Sequence, residues 1–154
     1  MVRLVPMSSE DYGPFMEELI EGYAASHVRA GRWTPEEGVP EARKETSHLL
    51  PQGRDTPGHL FFTILSDAPE TNAGALWLAA EPRGGFVYYL VVAPPFLRRG
   101  YAEQAMRLAE DVLREKGETR VSLHVFGDNV IARNLYKKLG YAETNVIMAK
   151  SLVR

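Results

Sequence analysis

Residues 91–103 carry the pattern best suited to chemistry, because an apolar run there meets a helical pattern through a turn rich in proline and arginine. The first backbone N–H groups of a helix have no intrahelical acceptor, and the helix dipole adds positive charge to them. A phosphate or pyrophosphate therefore fits the N–H groups of residues 98–102. Gly100 would let the backbone approach such a ligand closely, and Arg98 and Arg99 would add charge at the rim. The alternative is an ordinary strand-to-helix turn with two solvated arginines.

The more familiar phosphate loops are absent from the sequence. No GxxxxGK[ST] pattern occurs, and no GxGxxG pattern follows a strand. Both of those loops depend on glycines at fixed spacing beside the phosphate. The sequence therefore indicates neither a P-loop nor a dinucleotide-binding loop.

A second strand-to-helix junction covers residues 121–141. Its first residues alternate between apolar and polar side chains, with His124 on the more polar face, and this alternation predicts a strand. Asp128 or Asn129 is suited to cap the helix that follows, and Gly140 is suited to end it. One face of this short helix holds Ala132, Leu135, Tyr136 and Leu139. We expect the tyrosine on that face to point inward, where its hydroxyl needs a hydrogen-bond partner.

The elements that position these junctions follow from apolar periodicity and from glycine and proline. Pro14 is expected in or just before the first turn of the first helix, and Thr34 opens a capping box for the second. The predicted strands are Val2–Val5, His59–Leu65, Ala75–Ala80, Phe86–Val92 and Val121–Val125, with two closing strands between Ala142 and Leu152 and a polar turn over residues 66–74. The predicted helices are Ser8–Ala30, Thr34–Leu50, Tyr101–Lys116 and one from Asn129 to about Gly140.

Composition excludes several classes of protein. A chain of 154 residues with 45% hydrophobic content predicts one domain with a sizeable core. Without cysteine it has no disulfide framework, thiolate metal site or cysteine nucleophile, and its histidines lack paired ligand spacing, so no metal is expected. A net charge of −2 argues against nucleic acid as a partner. No signal peptide and no apolar run of about 20 residues is present, so we expect no membrane association and a cytoplasmic protein.

Taken together, the two junctions resemble the GNAT superfamily of acyl-CoA-dependent N-acetyltransferases. The family's pyrophosphate loop, usually Q/R-x-x-G-x-G/A, is matched by Leu97, Arg98, Arg99, Gly100, Tyr101 and Ala102. Its N-x-x-A-x-x-x-Y-x-x-x-G-F/Y signature is matched by Asn129, Ala132, Tyr136, Gly140 and Tyr141. Leu97 departs from the pattern, since Gln or Arg is usual there. Because such a loop binds phosphate chiefly through backbone N–H groups, we expect the departure to weaken cofactor binding without abolishing it.

The resemblance implies an α/β (α+β) fold of the GNAT type. Its mixed, mostly antiparallel sheet of about six or seven strands is flanked by helices and contains a central parallel strand pair that splays apart. Residues 1–154 would form one domain. Within it the resemblance implies a helical acceptor-side region at 8–57, a pyrophosphate-loop segment at 86–116 and an Asn/Tyr segment at 121–141.

The resemblance also implies direct transfer of an acetyl group from acetyl-CoA to a primary amine. Tyr136 would be the general acid, since a phenol with a pKa near 10 can give a hydrogen bond or proton to a thiolate whose acid has a pKa of about 8.5. Asn129 would help to hold the cofactor, and backbone N–H groups of Leu90, Val91 and Val92 would face the thioester carbonyl. Three alternatives stay open: a non-catalytic acyl-CoA-binding module, transfer of a longer acyl group, and an interaction domain whose loop has lost its affinity for coenzyme A.

The acceptor and the general base are less defined by the sequence. Many relatives carry an acidic residue where this chain has Tyr88 and Tyr89, and an alkylamine with a pKa of about 10.4 must lose a proton before it attacks. Tyr89 and His124 are weak candidates for the base; ordered water is the alternative. As core aromatics, the adjacent tyrosines would face opposite sides of the sheet. Tyr88, with Glu21 and Trp33, is a weak candidate for binding a small-molecule or peptide amine. Members of the family often form homodimers, and nothing in the sequence decides this.

Overall fold

A computed structural model of the chain describes residues 1–67 and 69–153. The chain forms two compact units, Met1–His124 (the N-terminal unit) and Val125–Arg154 (the C-terminal unit). In chain order the N-terminal unit contains β1 (Val2–Pro6), α1 (Ser9–Arg29), α2 (Pro35–Leu49), β2 (His59–Asp67), β3 (Glu70–Glu81), β4 (Gly84–Val92), α3 (Tyr101–Glu115) and β5 (Val121–Leu123). The C-terminal unit contains α4 (Val130–Lys138). The single domain over 1–154 stays a prediction; Arg154, and Ala68 in the predicted polar turn, lie outside the described residues.

The sheet has five strands in the order β1-β2-β3-β4-β5. The first four are antiparallel, and β4 and β5 are parallel neighbours. Their pairing spans only Gly85↔Val121 to Val87↔Leu123, whereas β4 continues to Val92. This arrangement confirms the mixed, mostly antiparallel sheet and its parallel pair. The pair was predicted at the centre of the sheet, whereas β5 is the last of the five strands, so the pair lies at an edge in the described residues.

The predicted count of six or seven strands is too high, because residues 142–153 form no strand in the described part of the chain. A strand needs a hydrogen-bonded neighbour. The strand preference of residues such as Val146 and Ile147 does not show whether such a neighbour is present. β5 also ends at Leu123, before the predicted boundary at Val125.

The first two helices pack against each other in the N-terminal unit. Ser8 accepts a hydrogen bond from the Asp11 N–H at 3.1 Å, so α1 begins early and Pro14 lies inside the helix, which corrects its predicted place in the first turn. The capping box at Thr34 is confirmed. A Cβ added to Gly38 would come within 3.1 Å of Val28, so glycine permits the close approach of α2 to α1.

The core lies on both faces of the sheet. On one face, Phe15, Leu19 and Ile20 of α1 pack against Phe61 and Trp77 of the central strands. A second set of fully buried side chains comprises Ile64, Leu76, Leu78 and Met106. Met106 belongs to α3, and Leu76 and Leu78 alternate with Trp77, so α3 covers the opposite face. Among the described residues, no helix has the length and apolar character to cross a membrane.

The C-terminal unit is built around α4. The Asn129 side chain accepts the Ala132 N–H at 3.2 Å and caps the helix, as predicted. Arg133 donates to the Gly127 carbonyl at 3.1 Å and to the Glu143 carboxylate at 2.6 Å, which joins the chain on both sides of α4 to the helix. No residue of α4 is buried.

Candidate active site

A β-bulge interrupts β4 at Tyr88. Trp77 pairs with Tyr89 and Leu78 pairs with Val87, so Tyr88 is the extra residue on its strand. Both tyrosines consequently pack against the aromatic core beneath α1. The expectation that they face opposite sides of the sheet is therefore wrong, because the bulge breaks the alternation of the strand.

The two tyrosines have different surroundings. The Tyr88 ring stacks on Trp77 with centroids 4.5 Å apart, and its hydroxyl donates to Glu81 at 2.8 Å. Burial and this carboxylate raise the pKa of Tyr88. The Tyr89 ring lies 5.8 Å from Phe15 in an edge contact, and burial, followed by the charge of Glu18, raises its pKa. Both phenols therefore stay protonated at neutral pH, which makes Tyr89 a poor base.

The end of β4 presents unpaired backbone donors to the side where β5 leaves it. The Ala93 N–H donates to the Ala73 carbonyl at 2.8 Å, on the β3 side. Because donor directions alternate along a strand, Val91 also faces β3, whereas the N–H groups of Leu90 and Val92 point the other way. Pairing with β5 ends at Val87, before either of them. Leu90 and Val92, rather than Val91, can therefore donate to a ligand at this edge.

The loop from β4 to α3 contains two residues with a left-handed backbone conformation. Arg98 has φ 63° and Gly100 has φ 78°, and Arg98 is the one non-glycine with positive φ in the described part of the chain. Such left-handed residues curve the backbone into a concave set of donors. Within residues 1–67 and 69–153, no protein acceptor receives the N–H groups of residues 98–102. The loop therefore has the donors of an anion site.

Packing holds this loop in place. Gln104 in the first turn of α3 accepts the Val2 N–H at 2.9 Å, which ties the start of the helix to β1. The Phe96 and Tyr101 rings stack with centroids 6.0 Å apart across the loop, and the Arg99 guanidinium lies 5.6 Å from the Phe96 ring. Leu97 is 54% exposed, and Ala102 begins the buried side of the helix.

The predicted general acid lies in the C-terminal unit. Tyr136 is half-buried, and its ring makes an edge contact with Tyr141 at 5.8 Å. Its hydroxyl makes no hydrogen bond to protein in the described residues, so the expected partner is not found among them. Burial raises the pKa of Tyr136, which keeps the phenol protonated at neutral pH. Asn129 uses its side-chain oxygen for the helix cap and keeps its NH₂ group for other acceptors.

Trp33 belongs to a cluster of side chains between α1 and α2 that was not predicted from the sequence. We call it the acceptor-side cluster, after the predicted acceptor-side region at 8–57 in which it lies, and it comprises Tyr23, His27, Arg32, Trp33 and Glu45. The guanidinium of Arg32 lies 4.6 Å from the Trp33 ring and pairs with Glu45, which also accepts the Tyr23 hydroxyl at 2.9 Å. Tyr23 and His27 are one helical turn apart in the sequence, and this spacing could have predicted that their side chains are neighbours.

One member of the acceptor-side cluster, His27, interacts electrostatically with His124, the residue that follows β5. Burial lowers the pKa of His27, and the charges of Arg32 and His124 lower it further. His124, a predicted base, is therefore close enough to His27 for their charges to interact. Glu21 lies elsewhere on α1, where it lines an open groove toward Val39 of α2. In the described residues no group of three or more acidic, histidine or cysteine side chains could hold a metal.

Comparison with known proteins shows that this chain is similar to acetyltransferases. Residues 20–141 match the profile of a family described as the Acetyltransferase (GNAT) family. Uncharacterized N-acetyltransferase YycN of Bacillus subtilis is 34% identical over 155 residues, which cover 98% of this chain and 99% of YycN. Uncharacterized N-acetyltransferase YdgE of the same organism is 33% identical and covers 97% of both chains.

Solved structures show the same fold. The crystal structure of YycN matches this chain with a TM-score of 0.94, 33% identity and full coverage of both chains. The PaiA N-acetyltransferase of Thermoplasma acidophilum, solved in complex with coenzyme A, matches with a TM-score of 0.65 and 19% identity, over 96% of this chain and 93% of its own. At that identity the second likeness concerns the fold alone.

Proposed function

Because the chain belongs to the GNAT family of acetyltransferases, we propose that it moves an acetyl group from acetyl-CoA directly to a primary amine, with Tyr136 as general acid. The observation that carries the proposal is the β4–α3 loop, whose N–H groups at residues 98–102 have no protein acceptor in the described part of the chain. The amine nitrogen attacks the thioester carbon, and the carbon–sulfur bond of the tetrahedral intermediate then breaks. No bond to the enzyme forms at any point.

The β4–α3 loop would hold the pyrophosphate of acetyl-CoA. Its N–H groups and the dipole of α3 supply partial positive charge, and Arg98 and Arg99 add full charges at the exposed rim. Tyr101 and Ala102 continue the row of donors into the first turn. The Leu97 side chain has no group that binds phosphate, so backbone donors carry most of the affinity.

The open edge of β4 would hold the thioester carbonyl. The N–H groups of Leu90 and Val92 point to the side that β5 leaves uncovered. Donors placed in advance at that oxygen stabilise the negative charge that develops when the amine attacks. Val91 supports them indirectly, since it packs against the core.

Tyr136 would stabilise the departing thiolate. Its pKa is raised by burial, so it retains its proton at neutral pH and can donate to sulfur. The proton lost by the amine must leave on the other side of the carbonyl. Burial and the charge of Glu18 raise the pKa of Tyr89, which makes it a poor base, so His124 is the better of the two proposed bases, and ordered water is the alternative.

The acceptor-side cluster would receive the amine. Trp33 offers an aromatic face that already attracts one cation, the guanidinium of Arg32, and Glu45 offers a carboxylate. A cationic small-molecule or peptide amine that displaced the Arg32 guanidinium would meet both groups. Tyr88 would contribute by fixing the shape of the β4 bulge, since its hydroxyl is bonded to Glu81.

The test begins with thermal unfolding in the presence of acetyl-CoA. At about 100 times the dissociation constant, binding should stabilise the protein by about 2.7 kcal/mol. Gly100→Glu should remove this gain, because it places a side chain and a negative charge in the phosphate loop. Gly117→Glu is the matched control, since Gly117 also has positive φ, 87° against 78°, and lies at the other end of α3.

Release of the coenzyme A thiol with a panel of amines then tests the reaction. Continuous thiol release that depends on one class of amine supports acyl transfer. Binding of acetyl-CoA without thiol release with any amine would favour a binding module. Faster release from longer acyl-CoA thioesters would favour transfer of a longer group, and absence of any binding would contradict the proposal.

A further inference from the structure

The acceptor-side cluster holds a cation that belongs to the chain itself. The guanidinium of Arg32 pairs with the Glu45 carboxylate and lies 4.6 Å from the centroid of the Trp33 ring. Its Nη1 atom lies 3.4 Å from Nε2 of His27, and the same carboxylate accepts the Tyr23 hydroxyl at 2.9 Å. Aromatic faces and carboxylates are the groups with which proteins bind organic cations. The cluster is therefore a cation site that an arginine of the same chain fills.

The arginine in this site is easily displaced. The Arg32 side chain is 47% exposed and that of Glu45 is 36% exposed, and an ion pair in such surroundings contributes little stability. The backbone N–H of Arg32 donates to the His27 carbonyl at 3.0 Å, so the chain stays fixed when the side chain turns away. Tyr23 and Trp33 pack against the core and would remain in place. A ligand cation can therefore replace the guanidinium through rotation of one side chain.

The second half of α1 brings this site over the place where the pairing of β4 with β5 ends. A Cβ added to Gly22 would lie 4.0 Å from the Tyr89 hydroxyl, so α1 crosses β4 immediately before Tyr23. One helical turn further on, His27 interacts electrostatically with His124, the residue after β5. All of these residues belong to the N-terminal unit. The cluster therefore lies on the side of the sheet where α1 covers the end of β4.

The charge of Glu45 decides which part of a ligand can lie in the site. A carboxylate raises the pKa of a neighbouring ammonium group and keeps it charged. A charged ammonium has no lone pair with which to attack a thioester, so the group held beside Glu45 is not the nitrogen that reacts. A substrate that fills the cluster must consequently carry its reacting nitrogen elsewhere.

We propose that the acceptor is a primary amine with a second, cationic group, and that this second group replaces the Arg32 guanidinium between Trp33 and Glu45. The inference rests on the proposed acetyl transfer, whose acceptor it specifies. The other nitrogen, once neutral, attacks the thioester carbon, and the products are its amide and the free coenzyme A thiol. Arg32 touches no reacting atom. It sets specificity as an internal competitor, which only a ligand with a cation of its own replaces with equivalent contacts.

Two matched acceptors test this specificity. 1,5-Diaminopentane carries the second cation, and pentylamine has the same carbon chain without it. We expect wild-type enzyme to have the lower KM for the diamine. Arg32→Ala should increase this preference about 3- to 30-fold, the range that one cation–π contact and one exposed ion pair give together, because no internal cation competes any longer. The double variant Arg32→Ala/Glu45→Gln should lose most of the increase.

Two further variants are matched controls for the loss of a charge. Arg29→Ala removes an arginine from the last turn of α1, where its guanidinium donates to the Ser26 hydroxyl at 3.1 Å outside the cluster, and should leave the preference unchanged. Arg32→Lys keeps a cation and should retain the wild-type preference. An unchanged or smaller preference in Arg32→Ala, or an equal increase in Arg29→Ala, would overturn the inference.

The same design distinguishes a free diamine from a peptide as the source of the two basic groups. The dipeptides alanyl-lysine and alanyl-norleucine differ only in a side-chain ammonium. A larger increase for this pair than for the two pentane amines in Arg32→Ala would identify a peptide acceptor, and a smaller one a free diamine.

Calorimetric titration of the diamine measures the site without catalysis. Coenzyme A is present throughout, since it carries no acetyl group to transfer. We expect Arg32→Ala to bind the diamine about 3- to 30-fold more tightly than the wild-type protein. Such tightening without thiol release from acetyl-CoA by any amine would support the cation site and contradict the proposed function. Thiol release that does not distinguish the two amines in any variant would retain the proposed function and overturn the inference.

Discussion

The two strand-to-helix junctions look alike in sequence and differ in packing. The loop after β4 leads into α3, whose Ala105, Met106 and Ala109 are fully buried. The junction after β5 leads into α4, which has no buried residue. The role proposed for the first junction uses backbone donors, which require a rigid frame in the same unit. The role proposed for the second junction uses the side chains of Asn129 and Tyr136 instead.

The largest expected difference between the junctions concerns stability. Met106→Ala in α3 should cost about 2–5 kcal/mol of unfolding free energy, because it leaves a cavity in the core. Ile131→Ala in α4 should stay within about 0.5 kcal/mol, since this side chain is 86% exposed. Urea unfolding followed by far-UV circular dichroism measures both, whereas tryptophan fluorescence would report only on the N-terminal unit, which contains Trp33 and Trp77. Equal losses would contradict the difference in packing.

A catalytic difference should follow from the separate roles of the junctions. Tyr136→Phe should lower kcat about 100-fold, within the range for loss of a general acid, and leave the dissociation constant of acetyl-CoA nearly unchanged. Gly100→Glu should act mainly on that dissociation constant. Tyr141→Phe is the control, because its ring contacts Tyr136 and its hydroxyl has no proposed role. Loss of acetyl-CoA binding in Tyr136→Phe would show that the phenol holds the cofactor instead.

The pH dependence of kcat tests the proposed role of Tyr136 as general acid. Burial raises its pKa above the ordinary value of 10.0, so the protonated, donating phenol persists at neutral and mildly alkaline pH. A rate that needs this proton is fully present below the raised pKa and falls tenfold per pH unit above it. We expect this alkaline fall in wild-type enzyme and its absence in Tyr136→Phe. An identical alkaline fall in both proteins would assign it to another group.

Much of the fold was predictable, because capping, glycine and periodicity act locally. The capping box at Thr34, the Asn129 cap and the start of α3 at Tyr101 agree with their sequence signals. The family resemblance predicted that β4 and β5 are parallel neighbours. The two closing strands after Ala142 did not form in the described residues, because a strand depends on a partner that local residues do not specify.

The parts of the candidate site that depend on the spacing of residues along the chain could be predicted. The parts that depend on how distant segments pack together could not. The Gly100 loop could be located from its position between a strand and a helix. The bulge at Tyr88 could not, since every residue near it favours a strand, and an extra residue is visible only in the pairing with β3. The approach of His27 to His124 was equally hidden, because about 100 residues of chain separate them and only the packed fold brings them close.

The smallest expected effect concerns the residue by which the phosphate loop departs from its family. Leu97→Arg restores a charged side chain at an exposed position, and an exposed ion pair contributes only about 0.2–1 kcal/mol. We expect acetyl-CoA to bind about 1.5- to 5-fold more tightly, and this gain to shrink at high salt because the charges are screened. Leu97→Met should change nothing. Calorimetric titration at two salt concentrations measures both variants. A gain of 100-fold would mean that side chains, and not the backbone donors after β4, hold the pyrophosphate, and the contrast between the two junctions would then fail.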